Sequence, residues 1–278
     1  MHRTIVWLDE ITSKDVALVG HKAAHLGWLT CAGLPVPDGF AVTSAAYVRA
    51  AEAAGLRHAL STCSAVTPSQ GGALVRRPED LAAMAARIRL PHDLAVAVCE
   101  AYRQLDHHSA AVAVRSSATS RDRDEPPFAG MHAAFTSITG EQLLLDRIRT
   151  CWASLYSPRV VAYRAAQHLT DEPSIAVVVQ RMVDADRAGV AFAAGEETAI
   201  VVKEGVLCRD ETDQVTSLGR QVADVHRRAM EIEWAFAGGE LWLLQASPMV
   251  SGRGGPRPGP ASLRPHVSQA AGMSRLPW

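Results

Sequence analysis

The stretch EIEWAFAGGELWLLQASP, residues 231–248, predicts a β-hairpin. Two strand-forming segments flank Gly238 and Gly239, and a glycine pair in this position is typical of a two-residue hairpin turn. Glu233 and Gln245 each stand between apolar neighbours, so the pleat turns their side chains away from the core. If the two arms pair across the glycines, both side-chain oxygens face one site.

This pair of oxygens has two interpretations. In nucleotide sites Mg²⁺ is commonly held by one or two protein oxygens, while water and phosphate oxygens complete the coordination shell. Glu233 and Gln245 are suited to that role. An ordinary cross-strand polar pair on a solvated face gives the same pattern. The hairpin alone leaves both interpretations open.

The run SIAVVVQRMV, residues 174–183, predicts a buried strand because it is rich in β-branched residues. AGVAFA (188–193) and TAIVV (198–202) predict two further strands. Where the first strand ends, Gln180 to Val183 can present backbone groups to an adenine edge, with Met182 covering the ring. Met182 fits a place in the hydrophobic core equally well.

The run AVAVRSS, residues 111–117, predicts an apolar strand that ends in Arg115 and two hydroxyl residues. A strand end can place such donors at the mouth of a cleft, where arginine suits phosphate oxygens. A structural salt bridge explains Arg115 equally well.

Helical spacing of apolar residues follows Gly20 and predicts a helix to Ala32, with Gly33 as its C-cap. A helix N-terminus offers N–H groups and a partial positive charge, so it can hold phosphate, and Lys22 would add a point charge. The segment is not a Walker A motif, and a surface lysine is the simpler alternative. Lysine is scarce in this chain, where Lys14, Lys22 and Lys203 stand among abundant arginines.

The rest of the pattern alternates helices and loops. We predict a strand at 4–8, helices at 44–60, 80–90, 92–105 and 141–168, loops at 61–79 and 120–131, and a disordered tail at 251–278 rich in Gly, Pro, Arg and Ser.

Composition limits the class of protein. With 278 residues, 48% apolar and 21% charged, the chain has room for one large domain or two lobes. A net charge of -1 gives no electrostatic reason to expect nucleic acid or an anionic membrane as partner. The five cysteines contain no CxxC pair, which argues against a disulfide framework or zinc site. Without a long apolar run or a signal-peptide pattern, we expect a cytoplasmic protein.

Five motifs in fixed order point to one family. They are GHKAAHLGWLTCAGLPVPDGFAVT (20–43), AVAVRSSATSRD (111–122) with PPFAGM (126–131), CWASLYSPRVVAYR (151–164), IAVVVQRMVDADRAGVAF (175–192) and EIEWAFAGGELWLLQASPM (231–249). Together they resemble the ATP-binding (ATP-grasp) domain of phosphoenolpyruvate synthase, pyruvate phosphate dikinase and rifampicin phosphotransferase, over roughly residues 10–250.

The resemblance implies an α+β, two-lobed ATP-grasp fold with the nucleotide bound between the lobes. We expect an N-terminal lobe at 1–170 and a C-terminal lobe at 171–250. The resemblance assigns catalytic contacts with the ATP phosphates to Lys22 and Arg115. It assigns adenine binding to the segment that includes Gln180, Met182 and Val183, and Mg²⁺ binding to Glu233 and Gln245.

The family's reaction transfers phosphoryl from ATP to a histidine on a separate swivelling domain. No phosphocarrier histidine is recognised among the eleven histidines. The first hypothesis is therefore a phosphotransferase whose acceptor is a partner protein with a phosphohistidine domain. The second is a kinase that phosphorylates a small molecule directly. The third is a degenerate module that binds nucleotide or a partner without turnover.

Several positions depart from the family pattern. The two glycines before the lysine become Gly20-His21, and the polar residues after FAGQ become Ala133 and Ala134. The arginine of QARP becomes Ser247, and the segment between 192 and 231 is shorter than in the family. Because a charge-assisted contact is worth about 1.5–3 kcal/mol, these losses favour weakened binding or impaired catalysis.

Overall fold

A computed structural model describes residues 3–12, 14–56, 83–85, 87–106, 111–119, 133–157, 159–161 and 174–249. These residues form two compact units, each with its own antiparallel sheet. The first unit takes its described residues from 3–24, 38–119 and 133–181, and the second from 25–37 and 182–249. The predicted α+β class is confirmed.

The first unit is built on a five-stranded sheet in the order β1-β2-β5-β3-β4. Its strands are β1 (Ile5–Trp7), β2 (Gly39–Val42), β3 (Val112–Ala118), β4 (Ala134–Ile138) and β5 (Ile175–Arg181). Its helices are α2 (Ser44–Ala53), α3 (His92–Asp106) and α4 (Glu141–Ala153), and α1 (Val16–Cys31) belongs to this unit up to Ala24.

The main core of this unit lies on one face of the sheet. Alternate strand residues such as Phe40, Val114 and Val179 are fully buried there, together with the apolar faces of α2, α3 and α4. Because side chains alternate along a strand, the opposite face carries the residues between them. Arg115 and Gln180 lie on that opposite face.

The second unit is built on a four-stranded sheet in the order β7-β6-β8-β9. Its strands are β6 (Arg187–Ala194), β7 (Glu197–Glu204), β8 (Met230–Ala237) and β9 (Glu240–Pro248). Helix α5 (Arg209–His226) packs on the face of this sheet that contains Ala193 and Thr198, and Gly219 approaches both residues closely. The other face carries Glu231 and Glu233.

Most predicted elements are found within a few residues of their predicted bounds. The hairpin turn at Gly238 and Gly239 is confirmed, with φ values of 58° and 84°. Gly33 has a φ of 77° and ends α1, and the Leu34 N–H donates to the Leu29 carbonyl as in a Schellman cap. No membrane-spanning helix is found among the described residues.

The predicted long helix at 141–168 is wrong, because α4 ends at Ala153. A short 3₁₀ turn follows, and Ser157 then adopts φ -60° and ψ 144°, an extended conformation. Residue 158 is proline, which disfavours helical geometry in the residue before it. Strand β4 and helix α5 are additional elements that the sequence pattern did not predict.

The predicted lobe boundary after residue 170 also differs from the observed division. Strand β5 follows that boundary but pairs with β2 and β3 in the first sheet. Residues 25–37 precede it but group with the second unit. The predicted loops at 61–79 and 120–131 and the tail at 251–278 lie outside the described residues, as do residues 80–82 and 86 of the predicted helix at 80–90. Residues 83–85 of that helix are helical, but residues 88–90 are not, so the predicted helix is too long at its C-terminal end.

Candidate functional site

The first set of candidate residues surrounds the break in α1 at Gly20. Gly20 has a φ of 76° and a ψ of 167°, so the helix that carries Lys22 begins directly after it. A Cβ at Gly20 would collide with the carbonyl and hydroxyl oxygens of Ser117, so only glycine lets the chain pass this close to β3. The Ser117 hydroxyl accepts a hydrogen bond from the Ala23 N–H at 3.2 Å. Ser117 of β3 therefore caps the N-terminus of this helix.

Lys22 lies half-buried in the first turn after this break. Its ammonium acts on Cys151 of α4: burial raises the pKa of the Cys151 thiol to about 12, and Lys22 opposes that rise. Lys22 therefore lies within electrostatic range of the Cys151 thiol.

Arg115 lies in the middle of β3, which spans Val112–Ala118 where the sequence predicts a strand over 111–117. It pairs with Ala134 of β4 on one side and with Val178 of β5 on the other, and only 8% of its surface is exposed. The strand continues to Ala118 because β5 continues beside it to Ile175. Neighbours on both sides thus hold the Arg115 backbone in place.

Gln180 shares the Arg115 face of the first sheet. It pairs with Ala113, which is two residues before Arg115 on β3, and residues two apart on a strand point to the same side. Gln180 is 2% exposed and also pairs with Gly39. The structure therefore brings Arg115 and Gln180 onto one face.

Met182 and Val183 follow the end of β5 and belong to the second unit. Both are half-buried. Val183 packs against a small buried cluster formed by Ala188, Ala235 and Leu244. Its side chain therefore has a packing role, whatever its backbone contacts.

Glu233 and Gln245 face each other directly across the β8–β9 hairpin. Glu231 pairs with Ser247 one step further along, on the same face of the sheet. The register between β8 and β9 shifts between Glu233 and Trp234. The pairs formed by Glu233 with Gln245 and by Glu231 with Ser247 both lie in the regular part of the ladder before that shift. The predicted pairing of the two arms is confirmed.

The electrostatics of this face centre on Glu231, which is not among the residues predicted from the sequence. Burial and the neighbouring Glu233 carboxylate raise the pKa of Glu231, and Lys203 on β7 opposes that rise. Its spacing of two residues from Glu233 on a predicted strand was the signal that could have found it. Two carboxylates, one of them destabilised in its charged form, and an amide oxygen make a face that a cation would stabilise.

This donor set fits Mg²⁺ better than a transition metal. Carboxylate and amide oxygens are the ligands that Mg²⁺ takes, usually one or two from the protein with phosphate oxygens added. Among the described residues no group of three or more His, Cys, Asp and Glu side chains could hold a metal ion. The face therefore suits a cation that arrives with a phosphate ligand.

Comparison with known proteins gives a consistent result. A family model described as the pyruvate phosphate dikinase AMP/ATP-binding domain matches residues 16–206. A probable phosphoenolpyruvate synthase of Methanocaldococcus jannaschii is 28% identical over 89% of this chain and 27% of that protein.

Two further relatives are more similar over a shorter range. The phosphoenolpyruvate synthase of Aeropyrum pernix is 38% identical over 72% of this chain and 26% of that protein. The rifampicin phosphotransferase of Streptomyces sviceus is 37% identical over 73% of this chain and 24% of that protein. The chain thus spans about a quarter of the length of these relatives.

Proposed function

The chain belongs to the family of pyruvate phosphate dikinase AMP/ATP-binding domains, and on that premise we propose that it binds ATP with Mg²⁺ as the ATP-binding part of a phosphotransferase. The observation that carries the proposal is the direct pairing of Glu233 with Gln245, with Glu231 on the same face. These side chains can bind a divalent cation that also binds phosphate oxygens. When bound, Mg²⁺ supplies positive charge that neutralises the phosphates.

The other candidate residues fit the remaining parts of ATP. Lys22 supplies a point charge and Arg115 a planar set of donors, and both suit phosphate oxygens. Arg115 is held in a buried strand, so it needs little reorganisation to act on a developing charge. Gln180 to Val183 would bind adenine through backbone groups, with Met182 against the ring.

We propose a histidine of a partner protein as the phosphoryl acceptor, with direct transfer to a small molecule as the alternative. Phosphoryl transfer depends mainly on positioning and on neutralising charge, and the residues named above supply both. Support for the histidine acceptor comes from membership of the family and not from the geometry of this chain.

A second candidate function is nucleotide binding without turnover, and two observations favour it. Ser247 lies opposite Glu231, so the strand pair has no positive charge at that position. Ala134 lies directly opposite Arg115 and cannot hold its side chain by a polar contact. Each missing charge-assisted contact would cost about 1.5–3 kcal/mol.

Calorimetric titration with ATP, with and without Mg²⁺, tests the proposal. Lys22→Ala should weaken ATP binding about tenfold or more, because a charged contact with phosphate is lost. Glu233→Ala should remove the dependence on Mg²⁺. Lys14→Ala and Glu240→Ala are matched controls, because both residues are exposed and lie outside the proposed site.

The outcomes separate the candidate functions. Binding that depends on Mg²⁺ and is weakened in both site variants supports the ATP site, and a search for the phosphoryl acceptor follows. Persistence of the Mg²⁺ dependence in Glu233→Ala would show that the hairpin does not hold the metal. Absence of ATP binding in a folded sample would leave binding of a partner as the function.

A further inference from the structure

Lys203 is one of few lysines in this chain, and the backbone around it is irregular. Gly189 on β6 pairs with Val202 on β7, and Ala188, the residue before it, pairs with Glu204. Lys203 is therefore the extra residue of a β-bulge. Bulges redirect side chains and occur often beside functional sites.

Gly189 makes this irregularity possible. A Cβ at Gly189 would collide with the Val201 carbonyl oxygen and with the Trp234 ring. Its absence lets the β7 backbone approach β6 closely at the residues that lead into the bulge. The strand geometry at Lys203 is thus set by a specific close contact.

The register places Lys203 on the face that carries the hairpin carboxylates. Val201 pairs with Val190, and Val190 pairs with Glu233, so these three residues share a face. Lys203 follows Val201 by two residues, and in a bulge the extra residue lies on the side of the residue it opposes, here Ala188. Ala188 is two residues before Val190 and shares its face.

The charges on this face are unevenly placed. Both cross-strand partners of Glu231, Phe192 and Ser247, are uncharged. The strand register places Lys203, on the edge strand β7, on the same face of this sheet as the two carboxylates. The face thus combines two carboxylates, an amide and one ammonium, which together suit a phosphate chain with its metal ion.

We propose that Lys203 binds the phosphates of the nucleotide, on the face of the second sheet that carries Glu233 and Gln245. This inference rests on the proposed ATP-binding function and adds a third basic residue to Lys22 and Arg115 as a proposed phosphate ligand. Lys203 adds a positive charge to the face on which the β8–β9 hairpin carries an uncharged serine at position 247.

A purely structural role for Lys203 predicts different changes in the affinities for Mg²⁺, ATP and adenosine when the lysine is removed. If Lys203 only neutralises the carboxylates, its removal makes the face more negative and strengthens binding of Mg²⁺ alone. It would then leave the preference for ATP over adenosine unchanged. If Lys203 binds phosphate, its removal weakens ATP binding and leaves adenosine binding as it was.

The test compares Lys203→Ala and Lys203→Arg with the wild-type chain and with Lys14→Ala. The affinities for ATP and adenosine, each with Mg²⁺, are measured by competition against a fluorescent ATP analogue. Binding of Mg²⁺ alone is measured calorimetrically, and thermal unfolding checks that each variant is folded. Glu233→Ala is included as a test of the proposed function itself.

We expect Lys203→Ala to weaken ATP binding about tenfold while adenosine binding changes less than about twofold. Lys203→Arg should retain affinity within about threefold because it keeps the charge. Unchanged ATP affinity in Lys203→Ala, equal losses for ATP and adenosine, or an arginine variant as weak as the alanine variant would overturn the inference. If wild type binds ATP and Glu233→Ala loses the Mg²⁺ dependence, such a result refutes the role of Lys203 alone. If wild type binds no ATP, both proposals fall.

Discussion

At Gly20 the backbone adopts a conformation that is almost restricted to glycine. Its φ of 76° and ψ of 167° break α1 and start a new helix at the residue before Lys22. Ser117 occupies the space where a side chain would otherwise stand. One residue therefore determines both the direction of the helix and the position of the lysine charge relative to β3.

Gly20→Ala should destabilise the fold by more than the strain of its positive φ. That strain costs about 1–3 kcal/mol, and the collision with Ser117 adds to it. Gly33→Ala is the matched control, because Gly33 has a φ of 77° and a Cβ there would meet nothing within 4 Å. Denaturant unfolding measures the loss of unfolding free energy in both variants. Equal losses would show that the close approach of Gly20 to Ser117 does not contribute to stability.

The sequence showed some of these residue-scale features but not others. Lys22 and Arg115 could be selected because a charged residue close to a glycine, or at the end of an apolar run, can be recognised from the sequence alone. The capping of Ala23 by Ser117 could not, because the two residues are 94 positions apart. The full burial of Arg115 depends on β4, which the pattern did not predict.

At the scale of elements, the β8–β9 hairpin holds the proposed metal ligands in register. Its two-residue turn needs positive φ at both Gly238 and Gly239, which matches the right-handed twist of the strands. A shift of one residue would turn Glu233 to the other face, because side chains alternate along a strand. The turn and the metal-binding face are therefore linked through register.

Gly239→Val should destabilise the protein by about 1–3 kcal/mol, because a β-branched residue is strained at a φ of 84°. It should also reduce the Mg²⁺-dependent part of ATP affinity. Gly238→Asn should be nearly neutral, because asparagine tolerates a φ of 58° and is common in this turn. Denaturant unfolding and ATP titration of both variants check this, and a normal Mg²⁺ response in a destabilised Gly239→Val would separate the turn from the site.

The hairpin was predictable because its turn signal is local, whereas α5 was not predicted. Its first turns, RDETDQ, are polar and contain residues of modest helix propensity. The helix begins there because the Cys208 N–H donates to Glu211 and because acidic residues suit the N-terminus. Strand β4 was missed because it has only five residues, AFTSI, which do not alternate between apolar and polar side chains.

At the scale of the whole molecule, contacts between distant parts of the chain decide which residues share a unit. The Leu243 N–H donates to the Pro35 carbonyl at 2.8 Å, and His25 contacts the Ala246 carbonyl at 3.3 Å. These contacts tie residues 25–37 to strands more than 200 positions away. A lobe boundary drawn from sequence order alone could not anticipate them.

One of these long-range clusters makes stability depend on pH. The His226 ring at the end of α5 lies 4.9 Å from the His25 ring and 5.7 Å from the Trp28 ring. Its Nε2 is buried and makes no hydrogen bond to the described residues. Burial, followed by the charge of Arg228, lowers the pKa of His226.

Because the folded-state pKa of His226 is below that of the unfolded chain, the unfolded state takes up the proton first as the pH falls. The contribution of His226 to stability is fully present above about pH 6.5, and it is lost as the pH falls from there through the lower folded-state value.

We expect the free energy of unfolding, measured with denaturant at pH 8 and pH 5.5, to fall less in His226→Phe than in the wild-type chain. His21→Gln is the matched control, because it removes a histidine that is exposed. The same pH dependence in His226→Phe and in wild type would show that burial of this histidine does not contribute to acid sensitivity.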